Sequence, residues 1–234
     1  MSIARRILYL VALLLFSSRL QAAVMVSPVI IDAYQVERGS AFTVTMMNPK
    51  TYPLDVALEW GWFTMSSDGT VLLDEKAAPE LDWLYLSNPV CHLEPESTTQ
   101  IVITVNRADF TAVTPVLYIS LQDPQSPVAV RVAVLFALSS EQPTRPVQIE
   151  FIESCQTDLR IRVTNPNPCH IYFDGVVELY RSAELIDEIS ITPKLVLAQS
   201  QRDISVPLNP GADQVIVTSD AAAADLMVVL PVEL

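Results

Sequence analysis

The chain holds only two histidines, and each directly follows a cysteine, as Cys91-His92 and Cys169-His170. Thiolate and imidazole are the donors that hold zinc or copper, so two such pairs converging on one ion would make a metal site. The pairs lie far apart in sequence and match no zinc spacing. They read as residues capping turns, and no metal or other cofactor is expected. Cys155 is the third cysteine, and three Cys allow three pairings. Cys155 and Cys169 bracket a predicted strand and are the expected disulfide. Closing that loop of about 15 residues contributes about 3 kcal/mol in the chain-entropy account. Cys91 is then the odd thiol. With 5 Gly in all there is no phosphate-cradling loop, and no Gly-x-Ser-x-Gly elbow occurs. Glu75, Glu80 and Asp82 fall in one polar stretch and Asp187-Glu188 in another, where they read as solvated faces rather than a catalytic pair. Trp60, Trp62 and Trp83 read as core and rim packing rather than a sugar platform. Nothing here assembles an enzyme, so the chemistry to look for is binding.

Binding chemistry depends on where the chain works. Arg5 and Arg6 precede the apolar run 7–16, and Leu20-Gln21-Ala22-Ala23 follows it. That is the pattern of a secretory leader, expected over 1–23 and too short to span a bilayer. The leader carries three of the 14 Lys and Arg and none of the 27 acids, so its removal takes the net charge from −13 to −16. An exported protein with no membrane insertion is expected. So strongly acidic a surface repels nucleic acid and anionic lipid. Export also permits disulfides. Half of the residues are hydrophobic, enough for real cores, and 17 Pro against 5 Gly point to many strand ends and stiff connections.

Short runs rich in Val, Ile, Thr and Tyr recur about every ten residues, the rhythm of antiparallel strands. The first set is 26–31, 42–47, 54–63, 71–73, 84–86, 100–105, 116–121 and 128–138. A polar segment bearing two prolines follows over 139–146. The second set is 147–152, 159–163, 176–180, 188–191, 203–208, 214–218 and 226–232. Helix signals are weak, one turn each at 108–112 and 221–226. The pattern predicts an all-β chain of two sandwiches in tandem, over 24–140 and 141–234. Phe42, Val44 and Met46 alternate with Thr43, Thr45 and Met47, as a half-buried strand requires. The run 128–138 differs. Val128, Val130, Val132, Val134, Phe136 and Leu138 line one face, and Ala129, Arg131, Ala133, Leu135 and Ala137 line the other. Two readings stand side by side: a central strand buried on both faces, or an edge strand whose apolar character serves another protein.

Several segments resemble the periplasmic chaperones that assemble pili. Phe42 through Asn48 followed by Val56 through Trp60 is similar to that family's second and third strands. Leu93-Glu94-Pro95-Glu96 resembles its Leu-x-Pro-Gly turn, with Glu96 in place of glycine. Val116 through Leu121 and Val134-Leu135-Phe136 resemble its sixth and seventh strands, and Asn165-Pro166-Asn167-Pro168 its Asn-Pro-Thr-Pro motif. The resemblance implies two immunoglobulin-like β-sandwiches, a periplasmic location, and pilin-like subunits and an outer-membrane usher as partners. It implies ATP-independent chaperoning by strand donation, with Val128, Val130, Val132, Val134 and Phe136 as the subunit-binding residues. The short connection Asp123-Pro124-Gln125-Ser126-Pro127 goes with the chaperones of ordinary adhesive pili. The family's cleft Arg falls at about Ile30 and its Lys at about Val134, and neither position is basic here. Arg131 is the candidate cleft cation in their place. That departure and the acidic surface point to a second reading, a structural or adhesive fibre component or periplasmic scaffold of the same fold that donates no strand.

Overall fold

Runs of alternating apolar and polar side chains fold as strands along the whole chain. The computed structural model describes residues 24–74, 81, 83–86, 90–123, 125, 129–155, 157–209 and 211–230. The expected leader 1–23, Val128, Glu75, Glu80 and Asp82 lie outside them. Eleven strands form the first part: β1 (Met25–Ser27), β2 (Ile30–Ala33), β3 (Ala41–Met47), β4 (Leu54–Met65), β5 (Val71–Asp74), β6 (Leu84–Leu86), β7 (Val90–Leu93), β8 (Thr98–Val105), β9 (Ala112–Val113), β10 (Pro115–Gln122) and β11 (Val130–Ser139). Seven form the second: β12 (Gln148–Ser154), β13 (Asp158–Thr164), β14 (Ile171–Arg181), β15 (Glu184–Val196), β16 (Gln201–Pro207), β17 (Gln214–Thr218) and β18 (Leu226–Val229). No helix occurs among the described residues, so the turns expected at 108–112 and 221–226 do not form. Residues 112–113 instead pair as β9 with the end of β11.

The first part layers the sheet β1-β3-β8-β6 on the sheet β2-β11-β10-β4-β5. Their inner faces share one core, which includes Val44, Met46, Val56, Ile103, Leu117 and Phe136. The second part layers β12-β13-β16 and β15-β14-β17-β18 around a separate core that includes Ile161, Val163, Phe173 and Val217. Burying each such side chain stabilises by about 1.5–3 kcal/mol, which is why strict alternation suffices to set the faces. The result is all-β, two tandem immunoglobulin-like sandwiches. Trp60 packs edge-on against Phe136 at 5.6 Å, in the core role expected of it.

The two sandwiches turn the same corner with the same device. Asn48 follows β3, and its Nδ2 donates to the carbonyls of Tyr52, Leu93 and Glu94 while Oδ1 accepts from the Lys50 N–H. Asn165 follows β13, and its Nδ2 donates to the carbonyls of Cys169, Val196 and Leu197 while Oδ1 accepts from the Asn167 N–H. Both side chains are buried, each is followed by Pro, and each engages carbonyls of the corner and of the strand end beside it. Asn167 then ties down the connecting segment, its Oδ1 accepting from the N–H groups of Thr144 and Arg145. Glu96, where the resembling turn has glycine, sits at φ 52°, the left-handed region.

The expected disulfide is not made. Cys91, Cys155 and Cys169 are free thiols. Cys155 follows β12 at one end of the β12–β13 hairpin, where Ser154 faces Leu159. Cys169 lies beyond the other end, past Thr164, and is buried. The strand that the pair brackets in sequence holds them about 20 Å apart at 3.3 Å per residue, and a disulfide needs Cα atoms within about 7 Å. Bracketing a strand separates two residues rather than joining them.

Two outcomes follow. Asn165→Ala orphans buried carbonyls and a buried amide at about 1–3 kcal/mol each, so urea unfolding of the second sandwich should show a loss of about 3 kcal/mol or more. A loss under about 1 kcal/mol would refute that role for the side chain. Alkylation of the unreduced, unfolded chain should label all three cysteines, and reductant should leave the urea midpoint unchanged.

Candidate functional site: the half-covered strand β11 and the junction beside it

Along one edge β11 pairs antiparallel with β10 from Val130 opposite Leu121 to Leu135 opposite Val116. Along the other edge β2 pairs with it in parallel, and only from Leu135 opposite Ile30 to Leu138 opposite Ala33. Among the described residues no strand covers that second edge over 130–134. The reason is the first strand. β1 pairs with β3 in the opposite sheet, and the chain crosses to β11 only after Pro28. The Leu135 N–H donates to the Val29 carbonyl at 2.9 Å, which fixes the side toward which it points. Backbone groups alternate sides along a strand, so Arg131 and Ala133 present their N–H and C=O to the open edge. Val130, Val132 and Val134 direct theirs to β10.

Over its described residues the run is central along one part and an edge along another. Residues 135–138 are central and residues 130–134 are an edge. Val134 and Phe136 are fully buried in the chain's own core. Val130 and Val132 are half-buried at its rim. Arg131 faces the other way. Its guanidinium lies 3.9 Å above the Tyr118 ring and 3.0 Å from Glu59 Oε2. At the position expected for a basic residue in β2, Ile30 is 48% exposed, beside Val29 at 50%. An incoming strand that ended beside Leu135 would meet these apolar side chains and the exposed Asp32.

The outer face of the same sheet forms the junction with the second sandwich. Phe63, Val116, Tyr118 and Ala137 pack with Leu195 of β15 in a third apolar cluster, edged by Leu135, Tyr172 and Leu197. Two polar clasps flank it. In one, the Arg202 guanidinium donates to the Leu195 carbonyl at 2.7 Å and reaches Met65 Sδ at 3.6 Å, while the Asp203 N–H donates to the Ser67 carbonyl at 2.6 Å. Gly69, at φ +85°, lies so close under Arg202 that a Cβ there would strike the guanidinium. In the other, the Tyr34 hydroxyl donates to the His170 carbonyl at 3.1 Å, and the two rings stack at 4.5 Å. Burial pushes the Tyr34 phenol up to about 12.

The two Cys-His pairs occupy unlike surroundings. His92 Nδ1 bonds exposed Asp55 across the β4–β7 pair at 2.8 Å, and that bond raises its pKa. His170 is 2% exposed. Among the described residues no three His, Cys, Asp or Glu side chains are grouped to hold a metal. Sequence reasoning passed over Tyr34, Gly69 and Arg202. Their only signal was local, a glycine in a hairpin and an arginine in an otherwise alternating strand.

Solved structures give this arrangement a context. The class 5 fimbriae chaperone CfaA superposes with a TM-score of 0.55 at 12% identity, covering 89% of this chain and 100% of its own. The CupB2 chaperone of Pseudomonas aeruginosa gives 0.52 at 16%, covering 88% and 100%. A chain of the CsuC–CsuE chaperone–tip adhesion subunit pre-assembly complex, from the archaic chaperone-usher Csu pili of Acinetobacter baumannii, gives 0.51 at 9%, covering 88% and 97%. The chain has the fold of the chaperone-usher pilus chaperones. No family model matches it, and no curated protein does at the sequence level.

Gly69 and Gly39 share a left-handed φ, but only Gly69 has a neighbour in the path of a Cβ. Alanine at either site incurs about 1–2 kcal/mol of backbone strain. Gly69→Ala should cost more than Gly39→Ala in urea unfolding and should speed proteolysis of the connecting segment 140–146. Equal effects would show that the Arg202 clasp contributes nothing.

Proposed function

We propose that this protein is an exported, periplasmic, ATP-independent chaperone that holds pilin-like fibre subunits by lending them the open edge of β11. The observation that carries the reading is that edge. Ala133 turns its main-chain donor and acceptor toward a side that no described strand covers, beside half-buried Val130 and Val132. A subunit lacking a strand gains a hydrogen-bonded ladder there, plus burial of alternate apolar side chains at about 25 cal/mol per Å². Shared fold with the matched chaperones supports it, and one of those is a complex of chaperone with tip adhesion subunit. In this reading residues 1–23 are removed on export, the sandwiches are 24–140 and 141–234, and an outer-membrane usher receives the subunit. Val134 and Phe136 support the donated strand from within the core rather than entering the partner.

The seat of the partner's chain end differs from the anchoring that the resemblance implies. Ile30, Val29 and Asp32 line it, and Arg131 lies on the outer face with Glu59 and Tyr118. Recognition then rests on the strand itself. The acidic composition and this neutral seat favour the second reading, a fibre component of the same fold. Stoichiometry separates the two: a chaperone forms soluble one-to-one complexes in the periplasm, and a fibre component ends in extracellular polymer.

The decisive variant acts on the backbone. Ala133→Pro removes a donor from the open edge and none from the β10 ladder, a placement that sheets tolerate. It should leave the unfolding midpoint nearly unchanged and reduce co-purification of periplasmic partners by about tenfold or more. Val132→Glu should weaken capture as well, with a larger cost in stability. Undiminished capture by a folded Ala133→Pro variant would sink strand donation.

A further inference from the structure

The proposed function uses neither histidine, and the setting of His170 is unusual. It follows the corner held by Asn165 and projects into the junction, 136 residues from its partner Tyr34. The rings of Tyr34 and His170 stack with 14° between planes, and the Tyr172 ring stands edge-on at 6.4 Å. Its Nε2 is buried and has no hydrogen-bond partner among the described residues. A buried polar atom without a partner is uncommon, and it costs most when it carries charge.

We propose that His170 is an acid-released clasp between the two sandwiches: protonation drives the ring out of its stack on Tyr34 and opens the junction on that side, while the Arg202 side holds. The asymmetry follows from the groups present. Protonated imidazole has two N–H donors, and the enclosed Nε2 has no acceptor to meet one. The titratable and charged groups around it are few. Asp32 lies along β2, Tyr34 beyond it and Tyr172 on β14, while Cys169 is adjacent with Glu141 near its thiol. Asp32 alone among them favours the cation, and burial outweighs it, so the His170 pKa lies below the ordinary 6.5. The far clasp has no group that titrates in this range. Arg202 stays charged, and Asp203 is held below the usual carboxylate value by Arg162.

The direction is fixed by linkage. A base whose folded pKa lies below its unfolded one costs nothing while both states are neutral. The closed junction is therefore fully stable above about 6.5 and weakens as pH falls through and below that value. Opening bares Leu135 and Ala137, on the outer face of the donated strand. A compartment reached through water-filled outer-membrane barrels shares the pH outside it, so the clasp would couple subunit handling to acidity. The clasp itself stands on the junction geometry and does not require strand donation.

The test is amide hydrogen exchange on the whole mature chain, free of partner, at about pH 7.5 and about pH 5, corrected for intrinsic rates. Residues 30–34 and 170–172 should lose protection by about tenfold at the lower pH, and residues 202–204 should not. His170→Phe keeps an aromatic ring on Tyr34, cannot take a proton, and should abolish the change. The wild-type imidazole resonances give a second readout that needs no variant, since His92 and His170 are the only two. His170 should titrate below His92, together with the loss of protection. Unchanged protection at about pH 5, the same loss in His170→Phe, or loss at both clasps together would overturn the proposal.

Discussion

β2 covers the second side of β11 over only four residues, and the rest of the site follows from that. A strand in a sheet interior has every N–H and C=O engaged, so it can offer a partner nothing but a face. Here the first strand of the chain spends Met25–Ser27 on the opposite sheet and reaches β11 only at Ile30. Half of β11 is thereby anchored, with Phe136 and Leu138 locked in the core. The other half is left with main-chain groups facing outward. Anchor and open edge lie on one continuous strand, so the edge is held rigid by burial a few residues away. That pre-organisation lowers the ordering entropy an incoming strand must overcome.

The second sandwich positions this strand from behind. The junction buries the outer face of the sheet carrying β11 against Leu195, so the strand cannot twist freely. The corner asparagines extend the same logic. Asn165 builds the turn, Asn167 fastens the connecting segment, and His170 at the turn's end reaches the first sandwich. One short motif therefore sets both a local corner and the relation between the two halves.

Much of this was legible in the sequence. Period-two alternation set the faces of β3, β8 and β11, because the burial energy of a misplaced valine or phenylalanine exceeds what any register slip recovers. Alternation cannot reveal an edge. The fate of Val134 and Phe136 depends on where β2 begins to pair, and β2 lies about a hundred residues upstream. The Cys155–Cys169 pairing failed for a related reason, since nearness in sequence across a strand is distance in space. The β15 strand was seen only over 188–191, because Pro193 and a polar outer face hide a hairpin partner that runs from Glu184 to Val196. Tyr34 carried no pattern, and the Cys169-His170 pair pointed to metal or turn chemistry rather than to a junction. A junction is built by single residues brought together by the fold, and no period announces them.

An open edge with apolar neighbours is also a hazard, because two copies can pair through it. The chain carries several standard protections. Arg131 stands on the exposed strand, and the uncovered segment is only five residues long. Larger still is the net charge of −13, which makes the approach of a second copy unfavourable in a way that a neutral or basic subunit would not feel. Like-charge repulsion discourages pairing of the open edge with the one partner always present in excess, another copy of the same chain.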